Sequence, residues 1–154
     1  MRVTIIADAS HDPETKAAGY GFWIASQRGK KGGHGAFKER VVNNIAAEMM
    51  ALLNGLYEAC KLGLVQPNDA VLLQTDCMSA IDAFEGRRKR ITPQEQELVT
   101  YFKHLRSTMN INTDFRHVKG HTAGMDSRSF VNNKCDELAG LAMRRARHYF
   151  RSIK

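Results

Sequence analysis

Four acidic residues stand in positions suited to holding a cation. Asp8 follows the apolar run 3–7, Glu48 lies inside a helix-like run, Asp76 follows a second apolar run at 71–75, and Asp136 opens the last helical segment. Two positions are strand ends and two are helical, so the four carboxylates can converge on one point. Mutually repelling oxygen ligands suit hard cations such as Mg²⁺, whose charge relieves the repulsion. A pair of such ions is fitted to chemistry at phosphorus, where attacking and leaving oxygens both need stabilisation. A glycine-bordered polar loop adds His121, which titrates near neutrality and suits proton movement around a water or a departing product. His117, four residues earlier, is expected to face the core or the sheet edge.

The elements that must position these groups follow from periodicity. Residues 3–8 read as a buried strand, 19–25 as an aromatic and β-branched strand, and 35–42 as a third strand beyond a glycine-rich turn at 29–33. Three consecutive strands predict an antiparallel meander. Ile45, Met49, Leu52, Leu53, Leu56, Tyr57 and Cys60 share one stripe of a helix, capped by Asn43 or Asn44. Glu48 sits at the border of that stripe, so its carboxylate emerges from under the helix toward the sheet. Gly63 and Pro67 end the helix, 70–75 return as a strand, and 79–84 form a short helix. Thr92-Pro93-Gln94-Glu95 opens another with a cap, a first-position proline and acids in the first turn, running to about Arg106 or Ser107. Residues 111–118 read as the fifth strand, 119–130 as a long polar loop and 131 to about 150 as a basic helix. The predicted class is α/β, a mixed five-stranded sheet of three antiparallel strands plus two parallel, flanked by helices.

With 154 residues the chain fits one domain. No apolar run approaches the roughly 20 residues of a membrane span, and the N-terminal run is too short for a signal-peptide core, which predicts a cytoplasmic protein without membrane contact. Cys60, Cys77 and Cys135 lack C-x-x-C spacing, which speaks against a disulfide framework or a zinc cage and for reduced thiols. The net charge of +7 points to a polyanion partner, and the excess is local: Arg87, Arg88, Lys89 and Arg90 in one cluster, Arg144, Arg145, Arg147, Arg151 and Lys154 in another. Charge by itself identifies no nucleic acid.

The motifs narrow this further. Ile6-Ala7-Asp8-Ala9-Ser10, Gly19-Tyr20-Gly21, Asn43-Asn44 ahead of Glu48-Met49-Met50-Ala51-Leu52, Thr75-Asp76, His117-Val118-Lys119-Gly120-His121 and Cys135-Asp136-Glu137-Leu138-Ala139 together resemble ribonuclease H of the type 1 family. The resemblance covers nearly the whole chain. It implies a ribonuclease H-like fold, one domain over residues 1–154, a monomer, and cleavage of the RNA strand of RNA–DNA hybrids with two Mg²⁺ or Mn²⁺ ions, leaving 5′-phosphate and 3′-hydroxyl ends. Carried over residue by residue, it makes Asp8, Glu48, Asp76 and Asp136 the metal ligands, has Glu48 also accept from the ribose 2′-hydroxyl, and gives His121 a mobile, proton-handling role. It implies nucleic-acid contacts for Ser10, Asn43, Asn44 and Lys119, and for Arg87, Arg88, Lys89 and Arg90 as a phosphate-binding patch.

The chain departs from the family pattern in several places. Ala9 stands where glycine is usual, the loop 13–16 lacks the common glycine and asparagine run, and Asn44 is one residue farther from Glu48. The segment between Asp76 and His121 is short for a basic handle. The segment from His121 to Asp136 is long, with Asp126 read as a solvated loop acid. Two rival readings keep the fold: a DNA nuclease or junction resolvase of the same superfamily, and a non-catalytic nucleic-acid binding module. The 119–121 loop argues against the first rival and the full set of acids against the second.

Overall fold

The computed structural model describes residues 1–119 and 127–153, with backbone only at 127–129. Three strands come first: β1 (Arg2–His11), β2 (Ala18–Ser26) and β3 (Gly29–Ala36). Short links force antiparallel pairing, and only Gln27 and Arg28 separate β2 from β3, so Ser26 pairs with Gly29. Helix α1 (Asn44–Lys61) carries the chain back to β4 (Ala70–Thr75), which pairs parallel with β1. Helices α2 (Met78–Phe84) and α3 (Pro93–Met109) then return it to β5 (Asn112–His117), parallel to β4, before α4 (Ser127–Ser152) closes the described fold. The sheet order is β3-β2-β1-β4-β5, the predicted mixed sheet of three antiparallel strands and two parallel. Among the described residues no helix is long and apolar enough to cross a membrane.

Four boundaries differ from the sequence reading, the first being β1, which continues past Asp8 to His11 as Asp8 to His11 pair with Gly21 to Ala18. The third strand is 29–36 rather than 35–42, so the glycines read as a turn lie in the strand itself. The aromatic side chains of β2 explain this: a Cβ on Gly33 would strike the Phe22 ring, one on Gly32 would come within 3.0 Å of Trp23, and one on Gly35 within 2.8 Å of the Tyr20 hydroxyl. The rings cover the glycine strand at the sheet edge. Helix α3 runs past Ser107 to Met109, where Asn110 adopts the left-handed conformation (φ 51°) that closes a helix. Helix α4 begins at Ser127, so 127–130 are helical rather than loop and Asp136 lies about two and a half turns inside rather than at its start. That first turn is polar except for Phe130, which is 70% exposed and leaves no apolar periodicity to read.

Alternation along β2 separates the two faces of the sheet. A Cβ on Gly55 of α1 would meet Ile5 and Phe22, so α1 packs on the face those residues share. A Cβ on Gly21 would lie 2.5 Å from the Cys135 carbonyl, and one on Gly19 would strike the α4 backbone at Ala139 and Met143, so α4 packs on the other face. Val3, Ile5, Phe22, Met49, Leu52 and Leu73 are among the buried residues of the main core, and Phe84, Phe102 and Phe115 stack to join α2, α3 and β5. The Gly21→Ala substitution is expected to destabilise the protein by about 1–3 kcal/mol in chemical denaturation, because helix backbone rather than a movable side chain must give way. An unchanged midpoint would show that α4 does not press on β2.

Candidate active site

Strand pairing brings two of the acids level. Ile6 pairs with Gln74 across the parallel β1–β4 ladder, and two residues further on each strand stand Asp8 and Asp76. Glu48 arrives from the second turn of α1, which Asn43 caps by accepting a hydrogen bond from the Ala46 amide. The Ala9 amide donates both to Asp8 Oδ1 (2.9 Å) and to Glu48 Oε1 (2.7 Å), binding the two carboxylates through one N–H. The Thr75 hydroxyl donates to Glu48 Oε2 at 3.3 Å and accepts from the Cys77 amide. One oxygen from each of Asp8, Glu48 and Asp76 lies within 4.8 Å of the others.

Asp136 approaches from the opposite side of the sheet. Gly21 is the cross-strand partner of Asp8, and the close approach of Cys135 to it delivers the neighbouring Asp136 to the same region. Its charge raises the Asp8 pKa, although the close group of three forms without it.

The site is electrostatically overloaded. Asp8 and Glu48 are 2% and 3% exposed. Burial, then the charge of Glu48 and its hydrogen-bonded side chain, and then Asp76 and Asp136 push the Asp8 pKa up. Burial also raises Glu48, the Asp8 hydrogen bond opposes it, and the charge of Asp76 adds to the rise. The Cys135 thiol is pushed up to about 12 by burial and then by Asp8 and Asp136. Asp8 Oδ2 is buried and has no hydrogen-bond partner among the described residues. A buried carboxylate oxygen without a donor among the described residues, in a cluster with two further carboxylates, fits a divalent cation.

The family model described as RNase H matches residues 1–144. The chain belongs to the RNase H family. No curated protein matches it. Among solved structures, LC11-RNase H1, isolated from compost by a metagenomic approach, aligns at TM-score 0.73 and 20% identity over 94% of this chain and 98% of its own, in a crystal with an RNA/DNA hybrid. The N-terminal RNase H domain of a Mycobacterium tuberculosis protein aligns at 0.69 and 26% identity over 96% and 97%. RNase H1 from the halophilic archaeon Halobacterium salinarum aligns at 0.73 and 21% over 95% and 100%. The architecture is that of these RNase H structures, and the family is one of metal-dependent hydrolases.

In this RNase H chain the other sequence-derived residues are distributed as follows. His121 and Asp126 lie outside the described residues. His117 is exposed on the edge strand β5, where its Nε2–H donates to the Asp76 carbonyl at 3.1 Å. Ser10, half-buried, pairs with Gly19 near the end of β1, and Lys119 is exposed just beyond β5. Asn43 engages both ends of its side chain inside the protein, whereas Asn44 is exposed. Arg87 pairs with Asp82 and Glu85, Arg88 turns inward toward Glu95, and Lys89 and Arg90 are exposed. The sequence reading missed Thr75 and the Ala9 amide as holders of Glu48. The Thr-Asp pair at the end of β4 was the available signal for the first, and nothing in sequence marks a backbone amide.

Raised carboxylate pKa values favour the protonated forms in the fold. The stability they confer is present in full below the unfolded values near pH 4 and is lost as pH rises above them. In chelator at about pH 8, the Asp8→Asn variant should therefore be more stable than the unsubstituted protein by about 1–3 kcal/mol, with the gap closing near pH 4. A variant no more stable than the parent at any pH, in thermal melts, would contradict this electrostatic account.

Proposed function

We propose that the protein is an endonuclease that hydrolyses the RNA strand of RNA–DNA hybrids, leaving 5′-phosphate and 3′-hydroxyl ends. The observation that carries the reading is the convergence of Asp8, Glu48 and Asp76, each with a carboxylate oxygen within 4.8 Å of the others. Membership of the RNase H family and the hybrid bound by LC11-RNase H1 support the substrate assignment.

In this reading Asp8, Glu48, Asp76 and Asp136 hold two Mg²⁺ ions, with Mn²⁺ as a substitute. When bound, the ions supply Lewis-acid activation of water and neutralise charge at the reacting phosphate. The chain's own groups provide the geometry. The Ala9 amide and the Thr75 hydroxyl hold the Glu48 carboxylate between β1 and β4, where it also accepts from the ribose 2′-hydroxyl that distinguishes RNA from DNA. His121 moves the proton of the attacking water or of the leaving group. Asn44, Ser10, Lys119, Lys89 and Arg90 contact the nucleic acid, with Lys89 and Arg90 on phosphates. The protein works as a single domain over residues 1–154, as a monomer, in the cytoplasm.

One assay separates this reading from its rivals: labelled RNA–DNA hybrid, double-stranded RNA, duplex DNA and a four-way junction, each with Mg²⁺, Mn²⁺ or chelator. The hybrid alone should be cut, with either metal, and the Asp76→Asn variant should lose at least about 10³-fold in kcat. Intact hybrid with both metals would refute the proposal. Junction cleavage would instead favour a resolvase, and tight binding without cutting a binding module. Replacing His121 with Ala should lower kcat about 10²-fold and leave KM nearly unchanged, as expected for a group acting on protons in the transition state.

A further inference from the structure

We propose that Glu95 is a positioning residue for nucleic-acid binding: from inside the protein it holds the asparagine turn of α1 and the basic segment 87–90 in one frame. The inference rests on the hybrid-nuclease reading above. Glu95 is 1% exposed although it lies in the first turn of α3, where an acid ordinarily gains its helix-dipole stabilisation at the surface. Its Oε1 accepts from Asn43 Nδ2 at 2.9 Å, while Asn43 Oδ1 accepts from the Ala46 amide at 2.8 Å. Its Oε2 faces Arg88 Nε at 3.9 Å, and neither of these buried atoms has a hydrogen bond among the described residues. The preceding residue completes the grip: Gln94 Oε1 accepts from the Val42 amide at 2.8 Å, and its amide donates to the Arg40 carbonyl.

One helical turn thus clamps the start of α1 on one side and the root of the basic segment on the other. A buried carboxylate adds little stability here, since a well-packed apolar side chain serves stability as well or better. What the charge provides is direction. It turns Asn43 and Arg88 inward, and their chain neighbours Asn44, Arg87, Lys89 and Arg90 are exposed. With both sets fixed to Glu95, they meet the nucleic acid at a constant separation.

The test measures hybrid Kd in an Asp76→Asn background with Mg²⁺, and KM and kcat in the otherwise unsubstituted protein, for Glu95→Ala, Glu95→Gln and Arg88→Gln. Glu95→Ala should raise Kd and KM about ten-fold with kcat within about two-fold. Glu95→Gln keeps the acceptor for Asn43 and loses only the charge facing Arg88, so it should raise both about three-fold, as should Arg88→Gln. A merely structural role gives the opposite split, because a smaller folded fraction lowers apparent kcat and leaves KM alone. Unmoved Kd and KM, with or without a fall in kcat, would overturn the proposal; should the alanine variant fail to fold, the glutamine variant decides it. If the parent fails to cut hybrid, the function reading falls, and the Kd series still decides the role of Glu95.

Discussion

One backbone amide ties the site together. The Ala9 N–H is shared between Asp8 and Glu48, two carboxylates that burial and mutual repulsion would otherwise drive apart or protonate. A single donor cannot offset that repulsion by itself, so the arrangement persists because the elements carrying the charges are rigid. Asp8 lies within a strand paired on both sides, Glu48 on a capped helix pressed against the sheet, and Asp76 directly after a buried parallel strand. Preorganisation of this kind lets a site receive a cation without rebuilding itself.

Close backbone approach makes the frame rigid. Gly55 brings α1 onto Ile5 and Phe22 from one face, and Gly19 with Gly21 admits the backbone of α4 from the other. Small residues here work as spacers set to zero: a methyl group at Gly21 would push α4 away from the strand that carries Asp8. The fold converts the absence of side chains into the nearness of charges that stand far apart in sequence.

The surface charge is organised by the same internal contacts. Of the basic cluster, Arg87 is paired with Asp82 and Glu85 yet exposed, Arg88 faces Glu95, and Lys89 and Arg90 are exposed beside them. On α4, Arg151 lies 3.8 Å from Glu14, and Arg147 helps to lower the Asp12 pKa after the stronger effect of the Thr15 hydrogen bond. The net charge of +7 already counts both members of each such pair, so pairing leaves the total unchanged and alters only where the positive charge lies.

By itself the sequence determined the strands carrying Asp8 and Asp76, the helix carrying Glu48, a cap at Asn43 or Asn44, the cap at Thr92 and the mixed sheet, because apolar periodicity and capping chemistry are local and survive in linear order. Asp8, Glu48 and Asp76 were legible for the same reason, standing within or directly after an apolar strand or on a stripe edge, whereas Asp136 lies inside α4. Only the tertiary structure decided where β3 runs, because its glycines look like a turn until the Trp23, Phe22 and Tyr20 side chains are laid over them. It also decided that α4 starts a turn earlier than its apolar pattern, that Thr75 and an amide hold Glu48, and that Glu95 is internal. These are contacts between residues tens of positions apart, and no local periodicity encodes which side chain will be covered by another segment of the chain.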